Sequence, residues 1–238
     1  MANAGNVSSL NFRHELKYYI NYHDYVVLKN ALSHLMYRDP HAGKNGIYYI
    51  RSLYFDDYWN TALGDKMSGT DHRSKFRIRI YDFSDRFIRF EKKIKEGQFI
   101  AKKSFMLSRE ELDSIFRKDY AYLLSREEPL AREVYTELTS RKLEPKVFVD
   151  YRREPFVLPY ENVRITFDMD LKSGIVSGSM FDSDLPLIPV FGKGIMVLEV
   201  KFDRYLPDYI CRILENAVGA TRSAVSKYVL CRQYETNI

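Results

Sequence analysis

The sequence predicts an α+β fold: a closed antiparallel β-barrel of about eight strands, shaped as a tunnel, with helices packed on its outside. Three observations carry this prediction. Apolar and charged residues alternate strictly in many short segments, the pattern of strands with one dry and one wet face. Helical stretches interrupt these strands without a regular strand–helix–strand rhythm, which argues against a doubly wound parallel sheet. Arg and Lys recur two residues apart on several strands, where like charges repel unless the faces enclose an anion.

Strands are expected over 11–20, 47–55, 76–81, 88–95, 99–107, 146–153, 163–170 and 195–203, with a short piece around 174–180. Helical patterning covers 22–37, then 108–119, where Ser108 and Glu111 form a capping box. A helix over 127–142 opens near Pro129, one over 207–218 starts at Pro207 and stops at Gly219, and a last one covers 223–233. Polar breaks fall at 43–46, 64–71 and 186–194. With no repeat, low-complexity tract or linker, the chain reads as one domain over 1–238.

Composition narrows the function classes. Hydrophobic residues at 45% and aromatics at 15% exclude disorder, and the 29% of charged residues must sit on surfaces or in a solvated cavity. A net charge of +5 favours an anionic partner. Cys211 and Cys231 show no metal or disulfide spacing, nor do the five His residues, and this suits a reducing cytoplasm. Residues 1–10 lack a basic flank and an apolar stretch, and no run of about 18 apolar residues occurs, so neither a signal peptide nor a membrane-spanning helix is expected.

Side chains two residues apart on a strand share a face. Arg77 and Arg79 do so against Phe76, Ile78 and Ile80; Arg89, Glu91, Lys93 and Lys95 oppose Ile88, Phe90 and Ile94. Arg164, Thr166, Asp168 and Asp170 oppose Val163, Ile165, Phe167 and Met169. Glu199, Lys201 and Asp203 share one face near the end of the chain, and Arg13, Glu15 and Lys17 share one at its start. Each strand alone fits the solvent face of an open sheet. Together they predict a basic tunnel, suited to a polyphosphate whose oxygens guanidinium forks engage in pairs. A nucleic-acid binder would instead carry its bases on an open exterior groove. Carboxylates among the bases, such as Glu199, are candidates to hold Mg²⁺ or Mn²⁺.

These residues also carry a resemblance. RHELKYYI at 13–20, SLYFDD at 52–57, KFRIRIYD at 75–82, FEKKIK at 90–95, DYRREPF at 150–156, VRITFDMDL at 163–171, LEVKFD at 198–203 and SKYVLC at 226–231 together resemble the VTC domain. This is the polyphosphate polymerase domain of the vacuolar transporter chaperone, within the CYTH-like triphosphate tunnel superfamily. The resemblance implies transfer of the ATP γ-phosphate to a growing inorganic polyphosphate, with Mn²⁺ or Mg²⁺ as cofactor. Carried over by position, the catalytic phosphate ligands are Lys17, Arg77, Arg79, Lys93, Arg153, Arg164, Lys201 and Lys227. Tyr54, Lys102 and Ser226 bind substrate, with Lys102 preferred to its neighbour Lys103, and Glu199 and Glu91 are the metal candidates. The wider superfamily opens with an ExExK strand; here Arg13 replaces the first acid, which suits the VTC branch better than the triphosphatase branch. Two rival readings use the same tunnel: a metal-dependent triphosphatase, and a module that binds polyphosphate or nucleotide without chemistry.

Overall fold

The computed structural model describes residues 11–43, 45–217 and 223–233. Strand β1 (Arg13–Ile20) leads through helix α1 (Tyr22–Leu35) and the short β2 (Tyr37–Arg38) to β3 (Tyr48–Asp56) and helix α2 (Thr61–Met67). A meander follows, formed by β4 (His72–Tyr81), β5 (Ser84–Glu96) and β6 (Phe99–Leu107), and then helices α3 (Arg109–Phe116) and α4 (Pro129–Thr139). The long pair β7 (Glu144–Leu158) and β8 (Val163–Gly174) precedes β9 (Ile188–Pro189), β10 (Met196–Phe202), α5 (Asp208–Ala217) and α6 (Lys227–Arg232).

Every pairing is antiparallel, and eight strands form a ring in the order β7, β3, β4, β5, β6, β1, β10, β8, closed by pairing of β8 with β7. β2 and β9 are two-residue additions to β7 and β8. The joins are unequal. β1 pairs with β10 along its length, from His14 opposite Phe202 to Ile20 opposite Met196. Among the described residues it meets β6 only at Arg13 and His14.

Two apolar cores lie outside the ring. Leu53, Phe76, Ile78, Phe90 and Phe105 pack under α3 and α4, through Leu112, Ile115, Val134 and Leu138. Phe156, Ile165, Phe167, Leu198 and Val200 pack under α1 and α5, through Leu28, Leu32, Ile210 and Leu214. The helices begin where their side chains satisfy the free N–H groups of the first turn: Asn21 and Asp24 make a reciprocal capping box on α1, as do Ser108 and Glu111 on α3, and Pro129 opens α4. α6 is the exception to outside packing. Its Tyr228, Val229 and Cys231 pack with Tyr48, Ile50, Tyr54, Val149 and Tyr151 in a third cluster.

The expected strand at 174–180 does not form. β8 ends at Gly174, where a Cβ would lie 2.5 Å from Leu187, and the chain continues as loop. The break expected at 64–71 holds the end of α2 instead. Asp170 leaves the face of Asp168 because its φ of +54° accompanies a register shift against β7, and it pairs with the exposed Arg152. Residues 218 and 219, the expected end of α5, lie outside the described residues, as does the first-residue stretch 1–10. Among the described residues no helix is long and apolar enough to cross a membrane, and Cys211 and Cys231 are not joined in a disulfide.

Candidate functional site

A cavity of about 620 Å³ runs into the ring. Strand alternation decides what lines it. β4 turns Arg73, Lys75, Arg77 and Arg79 inward while Phe76, Ile78 and Ile80 enter the outer core. β1 contributes Glu15 and Lys17, β5 Lys93 and Lys95, β7 Tyr151 and Arg153, and β10 Glu199 and Lys201. Tyr54 of β3, Lys66 of α2, and Ser226, Lys227 and Tyr228 at the start of α6 also line it, with Gln98 and Ser223. Eleven Lys and Arg face two Glu, so the cavity is strongly cationic.

The deeper bases are held by carboxylates. Glu15 takes Lys93 on both oxygens at 2.8 and 2.7 Å and Lys17 at 3.2 Å. Glu199 takes Lys201 at 2.9 Å, Arg153 at 3.0 Å and Lys17 at 3.4 Å. Lys201 also approaches Glu15 at 3.5 Å, so both Glu share Lys17 and Lys201. Arg153 forks onto Asp168 at 2.6 and 2.7 Å, and Lys227 reaches the same carboxylate at 2.5 Å. On the other side, Arg77 bonds Glu91 at 2.7 Å and the Tyr54 hydroxyl at 2.8 Å, while Arg79 donates to Ser52 at 3.2 Å and Tyr151 at 3.1 Å. The forks are therefore oriented before any ligand arrives, which lowers the ordering cost of binding.

Titration follows from this packing. Burial pushes the Glu15 carboxyl up, but Lys17, Lys93 and Lys201 outweigh it and hold the group at about 2. Burial likewise opposes ionisation of Glu199, and Lys201, Lys227, Lys17 and Arg153 override it, holding the carboxyl well below the usual range. Burial depresses Lys93, and with Lys17 and Lys201 nearby it falls to about 7 despite Glu15. Burial and the surrounding Lys17, Lys93, Lys66 and Arg73 hold Lys75 well below the usual lysine range.

The family model described as the VTC domain matches residues 12–235. The chain belongs to the VTC domain family. Its fold is also that of the PH1819 protein of Pyrococcus horikoshii OT3, at a TM-score of 0.52 and 14% identity over 93% of this chain and 99% of that one. Further similar structures are a candidate adenylate cyclase from Bacillus halodurans (TM-score 0.47, 15% identity, 91% of this chain and 96% of that one) and another from Vibrio parahaemolyticus (0.49, 13%, 93% and 98%). No curated protein matches the chain. Membership in the VTC family supports a tunnel protein that binds polyphosphate or triphosphate.

Of the residues anticipated from sequence, this VTC domain brings Lys17, Tyr54, Arg77, Arg79, Lys93, Arg153, Glu199, Lys201, Ser226 and Lys227 to one cavity. Three are placed elsewhere. Arg164 shares the inward face, but it bonds Asp39 at 2.5 Å and Tyr48 at 2.8 Å and does not line the cavity. Lys102, preferred to Lys103, points toward Glu91 at 2.9 Å behind the lining. Glu91 is fully buried beneath Arg77, with one oxygen on Arg77 and the other on Lys102. It orients Arg77 and stands outside the cavity lining, apart from the other metal candidate Glu199. Lys66, Arg73, Lys75, Tyr151 and Tyr228 were not singled out. Extending the two-residue period of Arg77 and Arg79 backward yields Lys75 and Arg73; nothing local marks Lys66 or the two tyrosines.

Proposed function

We propose that this VTC domain is a polyphosphate polymerase that transfers the γ-phosphate of ATP to the end of a polyphosphate chain held in the cavity. The observation that carries the reading is the convergence of eleven bases on one cavity, with the deep guanidinium forks fixed by carboxylates that do not fill it. In the step, the bond from the γ-phosphorus to the β–γ bridging oxygen breaks, a bond to a terminal oxygen of the chain forms, and ADP leaves. Such a transfer asks for positioning and charge stabilisation rather than a nucleophilic side chain. Arg77, Arg79 and Arg153 present planar forks to phosphate oxygens, while Lys17, Lys201 and Lys227 supply compact charges around them.

Among the described residues no cluster of three or more His, Cys, Asp or Glu forms a self-sufficient metal site. The donor set fits a hard cation held jointly with substrate: Mg²⁺ binds through one or two carboxylates plus phosphate oxygens and water, and Glu199 and Glu15 are the two carboxylates of the cavity. Glu199 and Glu15 would hold such a cation, Mn²⁺ or Mg²⁺, whose chemistry would be to offset the negative charge of the phosphates. The chain's own part is to hold the anions in line and keep Glu199 ionised.

The test is direct. Pure protein is incubated with ATP and Mn²⁺, and the products are separated into long polyphosphate, ADP and free orthophosphate. Polymer accompanied by equivalent ADP is expected. Orthophosphate without polymer makes the protein a triphosphatase, and triphosphate binding with neither product makes it a binding module.

A further inference from the structure

The eleven bases of the cavity fall into two groups. Seven deeper ones each form an ion pair with Glu15, Glu91, Asp168 or Glu199. Lys66, Arg73, Lys75 and Lys95 form none with any described residue. All four line the cavity: Lys66, Arg73 and Lys95 lie with Gly69 and the β5–β6 turn at Gly97 and Gln98, and Lys75 lies further in, opposite Lys93. Their partners are neutral: Arg73 donates to the Thr70 carbonyl, Lys95 to the Gly97 carbonyl, and Lys75 to the Ser226 hydroxyl at 3.1 Å. The carboxylates of Asp65 and Asp71 act on Arg73 only at longer range.

The β4–β5 register sharpens the contrast. Arg77 stands opposite Glu91, a favourable pair, but one step outward Lys75 stands opposite Lys93, and one further Arg73 stands opposite Lys95. Like charges directly opposite across a strand pair destabilise it. Glu15 relieves Lys93, and nothing comparable relieves the outer pair. Burial and mutual repulsion lower Lys66 and Lys95 as well as Lys75. An anion that came to rest at the rim would reverse each of these effects.

We propose that Lys66, Arg73, Lys75 and Lys95 form an outer phosphate subsite that grips the units of a chain too long for the deeper bases, so that the protein selects long polyphosphate over triphosphate. The inference rests on the reading of the cavity as a polyphosphate site. The ligand class follows from the geometry. A bound triphosphate is satisfied by the seven deeper bases, whereas a linear polyanion with one charge per unit continues outward and meets four basic side chains that no carboxylate holds in an ion pair.

The experiment uses the full chain and two probes, tripolyphosphate and long-chain polyphosphate, each titrated calorimetrically without metal at several salt concentrations. The wild type is expected to bind the long chain with the steeper salt dependence, because more counterions are displaced. In the Lys66→Gln/Lys95→Gln variant, long-chain affinity is expected to fall about ten-fold and tripolyphosphate affinity less than about two-fold, with the two salt slopes converging. The melting temperature of the ligand-free variant is expected to rise, since the repulsion between Arg73 and Lys95 is gone; a purely structural role for Lys95 would lower it. Equal losses for both probes, or no loss for the long chain, overturn the outer subsite while leaving the cavity reading intact. Wild-type protein that binds neither probe sinks the cavity reading and the subsite together.

Discussion

Replacing Glu199 with Gln removes one negative charge and almost nothing else, and the structure allows its effects on stability, binding and turnover to be separated. The carboxylate holds Lys201, Arg153 and Lys17 at 2.9, 3.0 and 3.4 Å. Each of these cations keeps a second carboxylate, Arg153 on Asp168 and both lysines on Glu15. The cost should therefore fall below the ~3–5 kcal/mol typical of breaking an isolated buried pair, at about 2 kcal/mol, or a melting temperature lower by about 6 °C. Anion binding should move the other way. At an effective dielectric of about 20, a carboxylate roughly 8 Å from a bound phosphate repels each unit charge by about 2 kcal/mol, so metal-free tripolyphosphate should bind about thirty-fold tighter. Metal-dependent turnover should vanish, because the amide no longer attracts a divalent cation. The assays are calorimetry in the presence of a chelator, thermal melting, and gel separation of products formed from ATP with Mn²⁺. Unchanged turnover would show that Glu199 serves only as a partner of Lys201 and Arg153, and weaker metal-free binding would refute the electrostatic argument itself.

Three further outcomes are expected. Arg79→Ala removes the fork anchored on Ser52 and Tyr151, so tripolyphosphate affinity and polymer formation should fall together, by about ten-fold or more; a loss of turnover with unchanged affinity would contradict a contact made in both ground and transition states. Lys93 is depressed to about 7 in the folded protein from a reference of 10.5, so between these values the unfolded chain binds more protons, and this group's penalty on folding fades as pH rises through that window. A bound phosphate restores the proton, so calorimetry at pH 8 in buffers of different ionisation enthalpy should reveal proton uptake, with affinity declining as pH rises above about 7; binding without proton uptake would contradict the depressed value. Outside the cavity, Arg51 and Asp150 form a fully buried pair joined at 2.8 Å, so Arg51→Met should cost about 3–5 kcal/mol in urea unfolding by stranding the acid, while tripolyphosphate affinity in the folded protein stays as it was.

The sequence made the ring legible where each strand has one charged and one apolar face. β4, β5, β8 and β10 meet that condition, and the inward Arg77, Arg79, Glu199 and Lys201 are found where the two-residue period puts them. Alternation assigns a face but not a depth. Arg164 and Glu91 sit on the correct face, yet one is taken by Asp39 and Tyr48 and the other lies beneath Arg77, positions that depend on which side chains arrive from strands distant in sequence. β3 appears within one residue of its expected bounds, whereas β7 was only partly visible because its inward Val149 and Tyr151 are as apolar as its outward residues. The turn of Asp170 away from its expected face comes from a single left-handed residue, which a strict period cannot register. Lys66 reached the cavity through α2, a seven-residue helix whose sequence resembles a loop.

The uneven closure of the ring bears on how the molecule is made. β1 carries Glu15 and Lys17, yet its extended pairing is with β10, nearly the whole described chain away, and its contact with β6 is two residues long. Local hairpins such as β4–β5 and β5–β6 can therefore form early, whereas the strand that brings two cavity charges must wait until the far end of the chain exists. A pairing so distant in sequence carries a high loop-closure cost and places this step late in folding. Backbone amides of β1 that face β6 beyond His14 are accordingly the ones expected to exchange with solvent first, opening the ring along its thinnest join while the β7–β8 side holds. Nascent chains halted before β10 would expose the apolar faces of an open sheet, and the anion cradle would appear only as the last elements dock.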